Sequence, residues 1–189
     1  VMSFDEYNKA PWNTFNILPL LYEYYADGYS LIFRILSDYS GLEVEIGQAP
    51  TSNVSLEIPE TVTFDGFDVT HNVVSIADYG FYECQYFTGN LVIPNTITRV
   101  GRFAFYNCNN FNGTLTLSDN LELIGEYAFA GYGNDMSFTG ELIIPNTVTS
   151  IGQTAFQRCS GFTGDLVIPE GVTSIGGYTF TNCSGFNGT

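Results

Sequence analysis

Positive charge is nearly missing from this chain. Its 189 residues hold five Lys and Arg against 20 Asp and Glu, a formal net charge of −15. Nucleic-acid binding needs Lys/Arg clusters against phosphates, and five scattered cations cannot form one. The same deficit argues against docking on anionic lipid. Histidine occurs once, at His71, so the usual hydrolase and metalloenzyme constellations are hard to assemble. No apolar run nears the roughly 18 residues of a membrane span. The longest, residues 17–22, is short and contains Pro19, so no membrane insertion by this chain is expected. Residues 1–6 lack both the basic head and the apolar stretch of a secretory signal. That leaves an intracellular protein or a mature or trimmed form.

Aromatics and glycine are abundant instead: 16 Phe, 13 Tyr and 20 Gly, within an apolar fraction of 44%. That fraction is too high for a disordered acidic tail, and the length suits one or two domains with an ample core. Self-similarity decides the reading. Residues 89–112 read GNLVIPNTITRVGRFAFYNCNNFN, and residues 113–139, 140–163 and 164–187 align with them. The opening glycines, Gly89, Gly113, Gly140, Gly164 and Gly188, are spaced 24, 27, 24 and 24 residues apart. The three extra residues of the second copy fall between Gly131 and Phe138. A looser copy occupies residues 54–88, with an insertion around residues 64–73. There Asp65-Gly66, flanked by alternating apolar residues, signals a hairpin.

Each copy follows one physical logic. The Leu-x-Ile-Pro element is a short strand that Pro ends, because it lacks an N–H and fixes φ. The Val-Thr-Ser-Ile-Gly element is a second extended piece with a corner at Gly. The Ala-Phe-x-x-Cys element is a tight or single helical turn that drives Phe105, Phe129, Phe156 and Phe180, with Cys108, Cys159 and Cys183, inward. A final Phe (Phe87, Phe111, Phe138, Phe162 or Phe186) fills the next corner. No unit buries this surface alone. Stacking at about 4.8 Å lines equivalent residues into columns. The expected fold is a mainly β repeat solenoid of short parallel strands.

The string Ile-Pro-x-x-Val-Thr-Ser-Ile-Gly-x-x-Ala-Phe-x-x-Cys-Ser-x-Phe, over residues 54–189, resembles the BspA-type leucine-rich repeats of gut and oral anaerobes. The resemblance implies a right-handed superhelix, a cell-surface or secreted location, and a host or bacterial surface protein or glycan as partner. The second copy departs from the pattern, with Leu117-Ser118 for Ile-Pro and Tyr132 near the Cys position. A local bulge is expected there, and any ligand ladder along the repeats would be interrupted.

Residues 1–53 form an extension and a cap. Residues 30–36 and 42–46 read as two strands joined by a polar loop, similar to the hairpin preceding the first repeat in that family. They cover the first open core layer. Residues 18–25 read as a short aromatic helix on the cap or as part of the extension. At the other end, Gly188-Thr189 opens a new copy without a polar cap, so the natural protein is expected to be longer, or this end uncapped or self-associating.

Chemistry-bearing residues are sparse. Cys84, Cys108, Cys159 and Cys183 share one repeat position, without metal-ligand spacing in sequence. Parallel Cβ vectors suit a column of free thiols better than disulfides. His71 reads as an exposed residue of the inserted hairpin. Glu43 and Glu45 share a strand face as a solvated edge rather than an acid–base pair. Asp65, Asp68 and Asp135 lack the oxygen spacing of a calcium loop. Asn53, Asn112, Asn182 and Asn187 lie in N-x-Ser/Thr sequons that double as turn composition. No catalytic, cofactor or metal site is expected. The remaining candidate is a surface: Glu57, Asn90, Val92, Thr114, Thr116, Glu141, Ile143, Asp165 and Val167, the outward positions around the Leu-x-Ile strands. The expectation is a non-enzymatic adhesion or binding module, with a structural spacer as the alternative.

Overall fold

The structure, a computed structural model, describes residues 21–26, 28–64 and 69–188. The cap comes first. Strand β1 (Leu21–Ala26) pairs antiparallel with β2 (Tyr29–Ile35), and β2 with β3 (Leu42–Ile46). Alternation along β2 buries Tyr29, Leu31 and Phe33. Residues 21–25, read from sequence as helix or extension, are therefore strand. Their tyrosines suit a pleated surface, and β2 offers an edge to pair with. Strand β3 then runs parallel to β5 (Thr70–Ile76), with a register shift between Leu42 and Glu43. The hairpin thus joins the solenoid's own sheet and covers its edge.

Strand β4 (Thr61–Thr63) pairs antiparallel with β5, from Thr61↔Asn72 to Thr63↔Thr70. This is the hairpin expected of the first copy; its Asp65-Gly66 tip lies outside the described residues. The later coils contribute β6 (Leu91–Val92), β7 (Arg99–Val100), β8 (Leu115–Thr116), β9 (Leu123–Ile124), β10 (Gly140–Glu141), β11 (Ser150–Ile151), β12 (Phe162–Thr163) and β13 (Ser174–Ile175).

The unbroken sheet is built by the Val-Thr-Ser-Ile elements, in the order β5-β7-β9-β11-β13. Its register runs Ile76↔Val100↔Ile124↔Ile151↔Ile175. Of the described Leu-x-Ile elements only β6 and β8 pair as strands; β10–β12 joins Gly140–Glu141 to Phe162–Thr163, ahead of the Leu-x-Ile positions of their coils. Pro94 lies two residues past the end of β6, and β8 belongs to the 27-residue coil, beyond which no described strand continues this pair. That coil keeps its turn: the Leu121 N–H donates to Ser118 O at 3.0 Å, as Ile97 does to Pro94. Its insertion leaves Tyr132 71% exposed and brings Met136 into the core.

No helix forms in the Ala-Phe-x-x-Cys segments. Their backbone instead takes left-handed conformations at regular intervals. Tyr79, Phe103, Tyr127, Thr154 and Tyr178 have φ of 53–61°, and Glu83, Asn107, Arg158 and Asn182 have φ of 55–62°. For side chains of this size each costs roughly 1–3 kcal/mol. The conformation turns alternate N–H groups toward the next coil. Tyr79, Phe81 and Glu83 donate to Arg102, Ala104 and Tyr106 carbonyls at 2.7, 2.7 and 2.8 Å. Phe103, Phe105 and Asn107 repeat this against Glu126, Ala128 and Ala130.

Two columns of Phe fill the interior. Phe81, Phe105, Phe129, Phe156 and Phe180 stack with centroids 5.0–5.5 Å apart and planes within 10°. Phe87, Phe111, Phe138, Phe162 and Phe186 stack at 5.8–6.0 Å. Within a coil the two rings meet edge-on, Phe105 against Phe111 at 78°. Both arrangements satisfy the ring quadrupole. The corner glycines have a different task from the sharp turn expected. A Cβ on Gly125 would sit 2.5 Å from the Gly101 carbonyl, and one on Gly152 would sit 2.4 Å from the Glu126 nitrogen. These glycines let backbones of successive coils touch.

Two outcomes follow from this packing. Phe156→Ala destabilises by about 3–5 kcal/mol, and hydrogen exchange quickens first in the coils holding Phe129 and Phe180; uniform quickening along the chain contradicts nearest-neighbour stacking. Gly125→Ala lowers the melting temperature well below that of Gly177→Ala, whose added Cβ meets nothing within 4 Å; equal shifts contradict a steric role for the corner.

Candidate interaction surface

Alternation along the short Leu-x-Ile strands sends Leu and Ile inward and their neighbours outward. All nine residues singled out from sequence (Glu57, Asn90, Val92, Thr114, Thr116, Glu141, Ile143, Asp165 and Val167) are exposed. Ile143, Val167 and Val92 show 71%, 65% and 53% of their surface. Asn90 has a structural part as well: its Oδ1 accepts the Thr114 N–H at 2.9 Å.

The ribbon is not uniform. The Leu91 and Ile93 N–H groups bond the Thr114 and Thr116 carbonyls at 2.9 and 2.8 Å, closing the coils of β6 and β8 against each other. Further along, none of the described backbone hydrogen bonds joins residues 142–144 to residues 166–168. The coils part there, and a groove of about 680 Å³ opens. Glu141, Ile143, Asp165 and Val167 line it, together with Asp119 and Pro145. The other five ribbon residues lie outside it. Three carboxylates face this space, and none makes an ion pair with a described cation. Asp119 was missed from sequence because it sits in the turn after Leu117-Ser118, where the motif departs from its pattern. Asn95 holds it in place: Asn95 Oδ1 accepts the Asp119 N–H at 2.9 Å, and Asn95 Nδ2 donates to Asp119 Oδ2 at 3.3 Å.

The other chemistry-bearing residues have structural partners. Glu43 pairs with Arg99 at 3.4 Å and Glu45 pairs with Arg34, so the two carboxylates are not free for acid–base work. Asp135 accepts from Ser160 Oγ at 2.7 Å and pairs with Arg158 at 3.0 Å. Asp65 and Asp68 lie outside the described residues. His71, expected in an exposed loop, instead stands in β5, half-buried, its ring 5.3 Å from that of Phe64. Its Nε2 is buried, with no hydrogen-bond partner among the described residues. The sequon residues Asn112 and Asn187 accept the Gly89 and Gly164 N–H groups at 3.0 Å, tying one coil's corner to the next.

The four cysteines are free thiols, and their ladder has a specific bond. Cys108 Sγ donates to Phe81 O at 2.9 Å, Cys159 to Phe129 O at 3.3 Å and Cys183 to Phe156 O at 2.9 Å. Each of these three thiols thus donates to a carbonyl of the preceding coil. Burial pushes the Cys108 and Cys159 thiols well above the usual range, and pushes Cys84 and Cys183 up to about 11.

The family model for the BspA type leucine rich repeat region matches residues 60–187 in six copies. Among solved structures, a leucine-rich repeat protein from Bacteroides capillosus is 20% identical, with a TM-score of 0.55 over 82% of this chain and 96% of that one. A leucine rich cell surface protein from Faecalibacterium prausnitzii is 23% identical, with a TM-score of 0.45 over 91% of this chain and 54% of that one. No curated protein matches. The first of these likenesses supports the solenoid fold.

The thiols impose a pH dependence. Their folded pKa lies above the ordinary value of 9.0, so the unfolded chain loses these protons first. The stabilisation is complete below about pH 9 and is lost as pH rises through about 11. The urea midpoint therefore falls across that window, and the fall shrinks in the Cys84→Ala, Cys183→Ala double variant. An unchanged slope in that variant contradicts the assignment.

Proposed function

The chain belongs to the BspA-type leucine-rich repeat family, and from that premise we propose a non-enzymatic module that binds a partner through its outer ribbon. It acts at the cell surface or after secretion, and its partner is a host or bacterial surface protein or glycan. One observation carries the reading: Glu141, Ile143, Asp165 and Val167 converge on one groove with Asp119. Exposed apolar side chains beside carboxylates that no described cation pairs suit a partner surface that offers an apolar contact ringed by cations or hydrogen-bond donors. Repeat solenoids bind through extended faces of this kind. The ribbon's outer residues contribute little to the core, so they are free to vary with the ligand.

The carboxylates give the test. The triple variant Glu57→Lys, Glu141→Lys, Asp165→Lys keeps its fold, because all three residues are exposed, and loses at least about tenfold in affinity for mucosal glycoproteins or host-cell surfaces. Surface plasmon resonance, with circular dichroism as the folding control, reads the change. Wild-type binding that the triple variant retains in full overturns the ribbon as the contact face. Absence of binding by the wild-type chain to every such surface favours the spacer.

A further inference from the structure

The turn wall carries a second aromatic array, outside the core. Tyr79, Phe103 and Tyr127 stack with centroids 5.0 and 4.6 Å apart and planes within 8°. Beside them Tyr82 stacks on Tyr106 at 5.3 Å and 11°. Tyr79 and Tyr82 are 53% and 40% exposed. The array already holds one guanidinium. Arg102 Cζ lies 5.9 Å from the Phe103 centroid, and its Nη2 and Nε donate to Glu126 Oε2 at 2.8 and 3.1 Å. Ring, guanidinium and carboxylate make a self-consistent set. The ring quadrupole and the carboxylate both attract the cation, and the planar fork matches both.

A ring and a carboxylate recur where the first coil meets the cap. A groove of about 390 Å³ opens there, lined by Ile46, Pro50, Tyr82, Glu83, Tyr86 and Asn110 among others. It shares no lining residue with the groove of the outer ribbon. Tyr106 covers one face of the Tyr82 ring, and no described ring stacks on the other. Glu83 makes no ion pair with a described cation. Arg34, Arg99, Arg102 and Arg158 are each bound to other carboxylates. The Tyr82 phenol is pushed up by desolvation and by the adjacent Glu83 charge. The groove's size lies within the usual range of roughly 300–1,000 Å³ for small-ligand sites.

We propose that this groove binds an arginine side chain of a partner polypeptide, its guanidinium stacked on Tyr82 and paired with Glu83. Ile46 and Pro50 supply apolar contact for the aliphatic stem. The chain's net charge of −15 repels anionic ligands and draws cationic ones. A neutral sugar would find the ring but leave the carboxylate without its counter-ion. The pattern is the one that Arg102, Phe103 and Glu126 complete within the chain, here with the guanidinium supplied from outside.

The test is an NMR titration of the whole chain with the capped tripeptide Gly-Arg-Gly, its Gly-citrulline-Gly analogue and maltotriose. The arginine peptide shifts the Tyr82 and Glu83 signals saturably, and its side-chain methylene protons move upfield under the ring current. Citrulline, equally planar but neutral, binds about tenfold more weakly, and Glu83→Gln weakens arginine binding about as much. Tyr82→Phe keeps binding, and Tyr82→Ala removes the upfield shift. Glu170→Gln, an exposed carboxylate outside this groove, changes nothing. Equal affinity for arginine and citrulline, indifference to Glu83→Gln, or maltotriose shifting Tyr82 where the arginine peptide does not, each overturns the proposal. Because the ribbon triple variant leaves this groove intact, the two surfaces stand or fall separately.

Discussion

Every part of the molecule depends on one spacing, the distance from coil to coil. Offset-stacked rings sit about 5 Å apart, and parallel strands sit about 4.8 Å apart. The two distances agree closely enough for one solenoid to carry a Phe column and a backbone ladder side by side. The ring separations of 5.0–5.5 Å in the first column are the direct reading of that match. Anything that spreads the coils loosens both at once. The corner glycines, the thiol bonds to preceding carbonyls and the Asn112 and Asn187 caps all act at the same joint, holding neighbouring backbones together.

The surfaces follow from where this spacing holds and where it fails. Along the β5-β7-β9-β11-β13 sheet it never fails, and that wall is continuous. Along the Leu-x-Ile wall it fails beyond the coils that β6 and β8 join. Proline removes donors there, and the 27-residue coil is out of phase with its neighbours. Ile143 and Val167 stand exposed where the wall opens, beside three carboxylates that no described cation pairs. The groove beside Tyr82 has another origin, at the boundary between the antiparallel cap and the first coil, where one ring stack begins.

Much of this was readable from the repeat alone. Inward Phe, Cys, Leu and Ile positions recur at fixed intervals, and burial follows them: Phe105, Phe129 and Phe156 are fully enclosed. The outward ribbon follows from strand alternation. Three features were not readable. Residues 21–25 carry no periodic signal that separates helix from strand, and the available edge of β2 decided the matter. The corner glycines read as turn formers, because a sequence cannot show how closely a neighbouring backbone passes. The turn-wall aromatics recur every 24 residues, Tyr82 with Tyr106 and Tyr79 with Phe103 and Tyr127, but at positions outside the core motif. Their period was visible and their stacking was not. The single His and the paired Glu43 and Glu45 drew notice by residue type, and the fold gave them ordinary neighbours.

The left-handed turns carry an electrostatic corollary. In a parallel β-sheet the peptide dipoles largely cancel along the strands' own direction and across them. In the turn wall they do not, because the N–H groups of Tyr79, Phe81 and Glu83 all point toward higher-numbered coils and the carbonyls that receive them all point back. Each coil therefore adds its peptide dipoles in the same sense, as the turns of a helix do. One wall of the solenoid is electrically polar along its axis, its positive pole directed away from the cap, and the polarity grows with every repeat.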